Sequence, residues 1–113
     1  MTIEEYVIAA LSKTLTFPVS GDRPTPMPER FHTVEKTGSR EEDHIHTATL
    51  AIQSWAESTA AAAMLNDEVK AAMAALIRCP EISRAECETD YNYPDLTTKK
   101  PRYQALFEVI YYL

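Results

Sequence analysis

Glycine is scarce in this chain, with two among 113 residues. A phosphate-cradling loop needs several, because the backbone must close on the ligand without Cβ atoms, so a nucleotide site of that kind is not expected. Positive charge is also in deficit: eleven Lys and Arg face seventeen Asp and Glu, for a net charge of −6. A domain that grips nucleic acid by its phosphates needs a basic patch, and this balance argues against one. The two cysteines, Cys79 and Cys87, are few for a disulfide scaffold, and the rest of the chain points to a reducing cytoplasm. No apolar run approaches the roughly 20 residues of a membrane helix. Glu4 and Glu5 stand where an export signal carries Lys or Arg, so no such signal is expected. The motifs G-x-S-x-G and H-E-x-x-H are missing, as is a carboxylate pair with an evident pocket. The sequence therefore assigns no catalytic residue, no cofactor-binding residue and no metal ligand.

What is present suits a globular domain. Hydrophobic residues make up 45% and charged residues 25%. A single domain spanning residues 1–113 buries about two-thirds of the surface it exposes when unfolded. Residues 45–78 organise the rest. In residues 45–56, Ala48, Leu50 and Ile52 fall on one face and Thr47, Thr49 and Gln53 on the other. That period of two marks a half-buried strand. From Ser58 the period turns helical, with Ala62, Leu65, Val69, Ala72, Met73 and Leu76 in one stripe. Ser58 or Thr59 is the expected N-cap. Ser54 with Glu57 is a rival capping box, but the alternation reads through Gln53 and favours the later start. Pro80 ends the helix.

Upstream, Thr2 and Glu5 form a capping box ahead of Ile3, Tyr6, Val7, Ala10 and Leu11, which predicts a helix over residues 3–13. Phe17 and Val19 suggest a brief extended segment. Pro24, Pro26 and Pro28 predict an extended surface connection in preference to a proline-rich recognition motif. Residues 31–36 read as a strand. Residues 37–43, with one glycine, mixed charge and no apolar side chain, read as a solvated hairpin tip. Downstream, residues 82–91 alternate again: Ala85, Cys87 and Tyr91 one way, Arg84, Glu86, Glu88 and Asp90 the other. Residues 92–101 form a second polar loop. Residues 102–113 close the chain as a strand, with Tyr103, Ala105, Phe107, Val109, Tyr111 and Leu113 opposite Arg102, Gln104 and Glu108. Because the chain ends inside that strand, its last residues are expected to be tied down. The order helix, strand, strand, helix, strand, strand predicts a two-layer α+β fold. Two hairpins join in one mostly antiparallel sheet, with both helices on its apolar face.

Several groups invite chemistry. His44 and His46 lie two apart, and with His32 across the hairpin three imidazoles could hold zinc; exposed strand residues near a charged tip are the stronger reading. Cys79 and Cys87 read as buried free thiols. Glu86, Glu88 and Asp90 read as a wet, partner-facing surface before a metal site. Ala60, Ala63, Ala71 and Ala74 are exposed filler or a seat for another helix or subunit. Trp55, off the Leu50/Ile52 face, supports the turn or anchors an interface.

The run Thr47, Ala48, Thr49, Leu50, Ala51, Ile52, Gln53, Ser54, Trp55, Ala56, followed by an Ala-rich helix, resembles the central block of bacteriophage tail terminator (tail completion) proteins. That block also appears in prophage minor tail components. The initial helix, the proline-bearing lead through Pro26 to Val34, Gly38 at the hairpin tip, and Pro94, Asp95, Thr98, Pro101, Arg102 and Tyr103 before the last strand extend the likeness over nearly the whole chain. One departure is Ser39, where a second glycine is common.

The resemblance implies a structural, non-enzymatic protein without cofactor or membrane contact. Its copies would form a hexameric ring that caps the tail tube of a long-tailed phage and meets the head-completion (connector) protein. It would assemble in the host cytoplasm and reside at the head-proximal end of the virion tail. Thr37, Gly38, Arg40, Glu41 and Asp43, with Asp95, Thr98, Lys99 and Lys100, are the expected contact residues. Glu86, Glu88, Asp90 and Glu108 are expected to line the bore, where DNA is only passing cargo and carboxylates keep its phosphates from sticking. The alternatives are a small cytoplasmic partner-binding or adaptor module and a zinc enzyme built on His32, His44 and His46.

Overall fold

In a computed structural model describing residues 1–113, the Thr2 hydroxyl accepts the Glu5 backbone N–H at 3.2 Å and opens helix α1, Ile3–Thr14. Strand β1 is Val19–Ser20, β2 is Phe31–Glu42 and β3 is Ile45–Trp55. Helix α2, Thr59–Ala74, tightens into a 3-10 turn at Ala75–Arg78 ahead of Pro80. Strands β4, Ile82–Asn92, and β5, Arg102–Tyr111, complete the chain. Ser58 caps α2 by accepting the Ala61 N–H at 3.1 Å, so the later of the two candidate starts is used. Ser58→Ala should cost about 1 kcal/mol, read as a lower urea midpoint; an unchanged midpoint would mean the cap is idle.

The fold is α+β, with two helices and a five-stranded mixed sheet in the order β1-β2-β3-β5-β4. All neighbours are antiparallel except β1 and β2, which run parallel through Val19↔His32 and Ser20↔Thr33. The expected six-element order lacked this strand. It is short because the chain bends away from β2 at Gly21 and Asp22, and the connection with Pro24, Pro26 and Pro28 follows.

One core cluster takes Ile3, Val7 and Leu11 from α1 and Val69, Ala72 and Met73 from α2. Alternate strand residues meet them: Val34, Ala48, Leu50, Ile52, Ala105, Phe107 and Val109. Each large side chain buried here contributes about 1.5–3 kcal/mol. A smaller cluster of Ala56, Ala61, Ala62 and Leu65, with Phe17 and Tyr103 against it, lies at the start of α2.

Three bulges change the faces that simple alternation assigns. Thr37, Ser83 and Glu88 are each an extra residue, seen as register jumps at Lys36/Gly38, Ile82/Arg84 and Cys87/Thr89. Beyond Glu88 the parity inverts. Asp90 comes opposite Ala105 on the core side and Tyr91 opposite Gln104 on the other, the reverse of the sequence reading.

The solvated tip at residues 37–43 is also corrected. Residues 38–42 continue β2 and pair with β3 out to Glu42↔Ile45. The turn is only Asp43 and His44, both at positive φ (51° and 66°), as a two-residue hairpin of this twist requires. Gly38 sits in the strand without positive φ. Residues 35–45 are exposed, so this outer ribbon has no core face to fill and is held by backbone pairing.

Candidate functional site

The odd-numbered residues of β3 face away from the main core, and at one end of the sheet they build a separate aromatic and polar cluster around Trp55. Register sets Phe31 opposite Trp55, Thr33 opposite Gln53, Gln53 opposite Gln104 and Tyr91 opposite Gln104. Trp55 is 1% exposed and stacks on Phe31, with ring centroids 5.2 Å apart and planes at 13°. The Arg102 guanidinium lies 4.8 Å from the Trp55 centroid and 4.4 Å from that of Tyr93. Arg23 approaches the Trp55 ring at 5.8 Å. Such cation–aromatic stacks hold the two flanking loops on the sheet.

A hydrogen-bond chain crosses four strands beside them. Trp55 Nε1 donates to Thr33 Oγ1 at 3.4 Å, and the Thr33 hydroxyl donates to Gln53 Oε1 at 3.2 Å. Gln53 Nε2 donates to Gln104 Oε1 at 2.8 Å, and Gln104 Nε2 to the Tyr91 hydroxyl at 2.6 Å. Of these groups Thr33, Gln53 and Trp55, together with Asp22, Arg23, Glu35, Asp95 and Arg102, border an open cleft of about 390 Å³.

The expected contact residues divide. Asp95 and Thr98 bond to each other and build their own loop, with Asp95 half-buried and Thr98 exposed. Asp95 Oδ2 accepts the Thr98 hydroxyl at 2.6 Å and the Thr98 N–H at 3.3 Å, and Arg23 Nη1 lies 3.4 Å away. The Thr98 hydroxyl, then the Thr98 and Thr97 backbone N–H groups, hold the Asp95 carboxyl below the usual carboxylate range. Arg102 Nε donates to the Tyr93 carbonyl at 2.7 Å and closes the same loop. Lys100 is half-buried; Lys99 and Leu96 point outward, and Leu96, which the sequence reading passed over, is 87% exposed. Thr37, Gly38, Arg40 and Glu41 are exposed on β2, and Asp43 is in the turn. Asp43 and the Asp95 loop occupy opposite ends of the sheet, about 30 Å apart along β3 at 3.3 Å per residue, while Gly38 lies opposite Thr49 in the middle of β3, and the two groups do not merge into one surface.

The acids divide as well. Glu86 and Glu108 are cross-strand neighbours on the outer face, and Arg84 pairs with both, reaching Glu108 through Nε at 3.4 Å. Glu88 is the bulge. Asp90 faces α2, where it accepts from Asn66 Nδ2 at 2.7 Å and Lys70 Nζ at 2.9 Å. Lys70, and after it Asn66, hold the Asp90 carboxyl below its ordinary value. Asn66 is itself buried within the apolar stripe between Leu65 and Val69, which is the one signal that could have exposed this link. The four acids therefore do not form one face, because the Glu88 bulge separates Asp90 from the rest.

The histidines do not converge either. His32 is buried, with Nδ1 3.0 Å from Ser54 Oγ, at the Phe31↔Trp55 end of the hairpin. His46 sits at the far end beside Glu41, 3.2 Å away, and stacks on Tyr111 at 5.4 Å, while His44 lies in the turn. A zinc set of His32, His44 and His46 is thus not assembled. On α2, Ala60, Ala71 and Ala74 are exposed and Ala63 half-buried. No family model matches the chain, and comparison with curated proteins gives no match.

Proposed function

We propose that this chain is a structural subunit of a phage or prophage tail, a terminator whose copies form a ring of six that caps the tail tube and joins it to the head-completion complex. It works without a cofactor, catalyses nothing, and meets no membrane. The reading takes the fold as two layers, with both helices on one face of the sheet. The observation that carries it is what this leaves over: the outer sheet face, with Ile45 exposed and Thr49, Leu106 and Ile110 half-buried, and two dissimilar lateral edges. A closed ring needs two different patches per subunit, and the two edges supply them.

Asp43 at one end of the sheet, and Asp95, Thr98, Lys99 and Lys100 at the other, suit a subunit gripped between two partners. The tube lies at one end and the head-completion protein at the other. DNA is passing cargo. The bore-lining role narrows to Glu86, Glu88 and Glu108, since Asp90 turns to α2. The cleft beside Trp55 and the bare Leu96 favour one other reading, a small cytoplasmic partner-binding module.

Light scattering and negative-stain microscopy separate the two. The expected result is a mass of six subunits, or rings on the ends of purified tail tubes. A chain that stays monomeric and leaves tube ends bare sinks the proposal.

A further inference from the structure

Each lateral edge of the sheet offers one short regular run. On one side β1 covers only His32 and Thr33 and Thr37 bulges, so residues 38–42 of β2 pair with β3 alone. On the other, β4 is the outermost strand and bulges at Ser83 and Glu88, leaving residues 84–87 regular.

Alternation fixes which backbone groups point out. The Tyr112 N–H bonds the Glu81 carbonyl and the Arg102 carbonyl accepts the Tyr93 N–H, so even-numbered β5 residues turn toward β4. Arg84 and Glu86, opposite Ile110 and Glu108, therefore turn inward, and Ala85 and Cys87 turn out. The Ala56 N–H bonds the Pro101 carbonyl, which sets odd-numbered β5 residues toward β3. Carried across β3, the same alternation turns Gly38, Arg40 and Glu42 toward β3 and leaves Ser39 and Glu41 facing out.

We propose that neighbouring copies join edge to edge, residues 84–87 of β4 in one pairing antiparallel with residues 39–42 of β2 in the next. Cys87 meets Ser39 and Ala85 meets Glu41 as hydrogen-bonded pairs. Glu86 meets Arg40 and Arg84 meets Glu42 as the closer non-bonded pairs. All four charged side chains stand on the outer face, and both contacts are between opposite charges. β4 runs opposite to β2, so copies standing the same way up continue one antiparallel sheet.

The register is singular. Sliding by two residues sets Arg84 against Arg40 or Glu86 against Glu42, and sliding by one mismatches the outward groups. The contact is heterologous and repeats around a ring, so it rests on the ring reading above and supplies its interface.

A disulfide tests the register. S39C sets a thiol opposite the neighbouring copy's Cys87, at the roughly 5.5 Å Cα spacing of a hydrogen-bonded antiparallel pair, which a disulfide spans. Within one copy the two positions lie on opposite sheet edges, three strand spacings of about 4.8 Å apart. With diamide taking two protons and two electrons from each thiol pair, S39C/C79S should give a ladder of linked multimers on a non-reducing gel. S39C/C79S/C87S should give none.

Arg40 and Glu86 are exposed, so R40E should keep the wild-type circular dichroism and melting temperature. It should nevertheless raise the concentration needed for ring assembly about tenfold, and R40E/E86R should restore it. Rings that form with no ladder, or that R40E leaves untouched, overturn the edge pairing and leave the ring standing. A wild-type chain with no assembly, even with tail tubes present, overturns both.

Discussion

Trp55→Ala should lower the unfolding free energy by about 3–5 kcal/mol, the range for emptying a buried aromatic site. Trp55 is buried on the sheet face opposite the Leu50 and Ile52 side chains that meet α2, so α2 cannot settle into the space it leaves. Phe31 would lose its stacking partner and Arg102 one side of its aromatic sandwich. The loop that Arg102 closes through the Tyr93 carbonyl would loosen with it. In urea the midpoint should fall while the slope stays near that of the wild type, the signature of lost stability without a change in exposed surface. Trp55→Phe separates packing from hydrogen bonding. It keeps most of the ring area and gives up the N–H to Thr33, for about 1 kcal/mol. A Trp55→Ala protein that melts with the wild type would show that the Trp55 cluster is ornament on an otherwise complete core.

The Trp55 cluster is also where the sequence was hardest to read. The helices and their caps were legible, because Thr2, Ser58 and the apolar stripes act within a few residues of themselves. The core face of β3 and β5 was legible for the same reason: Leu50, Ile52, Phe107 and Val109 alternate without interruption. Alternation fails across a bulge. One extra residue at Glu88 sends Asp90 to α2 and Tyr91 to the outer face, and nothing in a Cys-Glu-Thr run marks it, because a bulge is settled between two strands.

The outer ribbon was misread for a different reason. Polar composition separates buried from solvated segments, and residues 38–42 are a solvated strand whose hydrogen bonds come from the backbone alone. Trp55 was seen to leave the core face. Its burial depends on Phe31, Arg23 and Arg102, which arrive from three distant parts of the chain. Local pattern carries no trace of such a meeting. The expected contact residues Asp95 and Thr98 show the same limit, since a polar loop reads as a surface whether its side chains face a partner or each other.

His32 should make the protein lose stability on mild acidification. It is buried on the core side of β2, with Nδ1 bonded to Ser54 and Nε2 without a partner, and burial alone pushes its pKa from 6.5 down to about 4. The folded protein therefore refuses a proton that the unfolded chain accepts, so protons favour the unfolded state. Above the unfolded value of 6.5 the histidine is neutral in both states and adds no pH dependence. As the pH falls below it stability drains away, and the loss is complete once the folded value near 4 is passed.

At 1.36 kcal/mol per unit the whole loss is about 3 kcal/mol, of which about 2 falls between pH 6.5 and 5. Paired carboxylates act lower on the scale. Arg30 holds Glu57 down to about 2, and Asp90 and Asp95 are also held below their ordinary value, so their contributions persist until the pH drops through the carboxylate range. The upper window thus belongs to the histidine. His32→Gln cannot take the proton, and should flatten the urea midpoint between pH 6.5 and 5 whatever it costs at neutral pH. A variant that keeps the wild-type slope there would assign the acid sensitivity to another group.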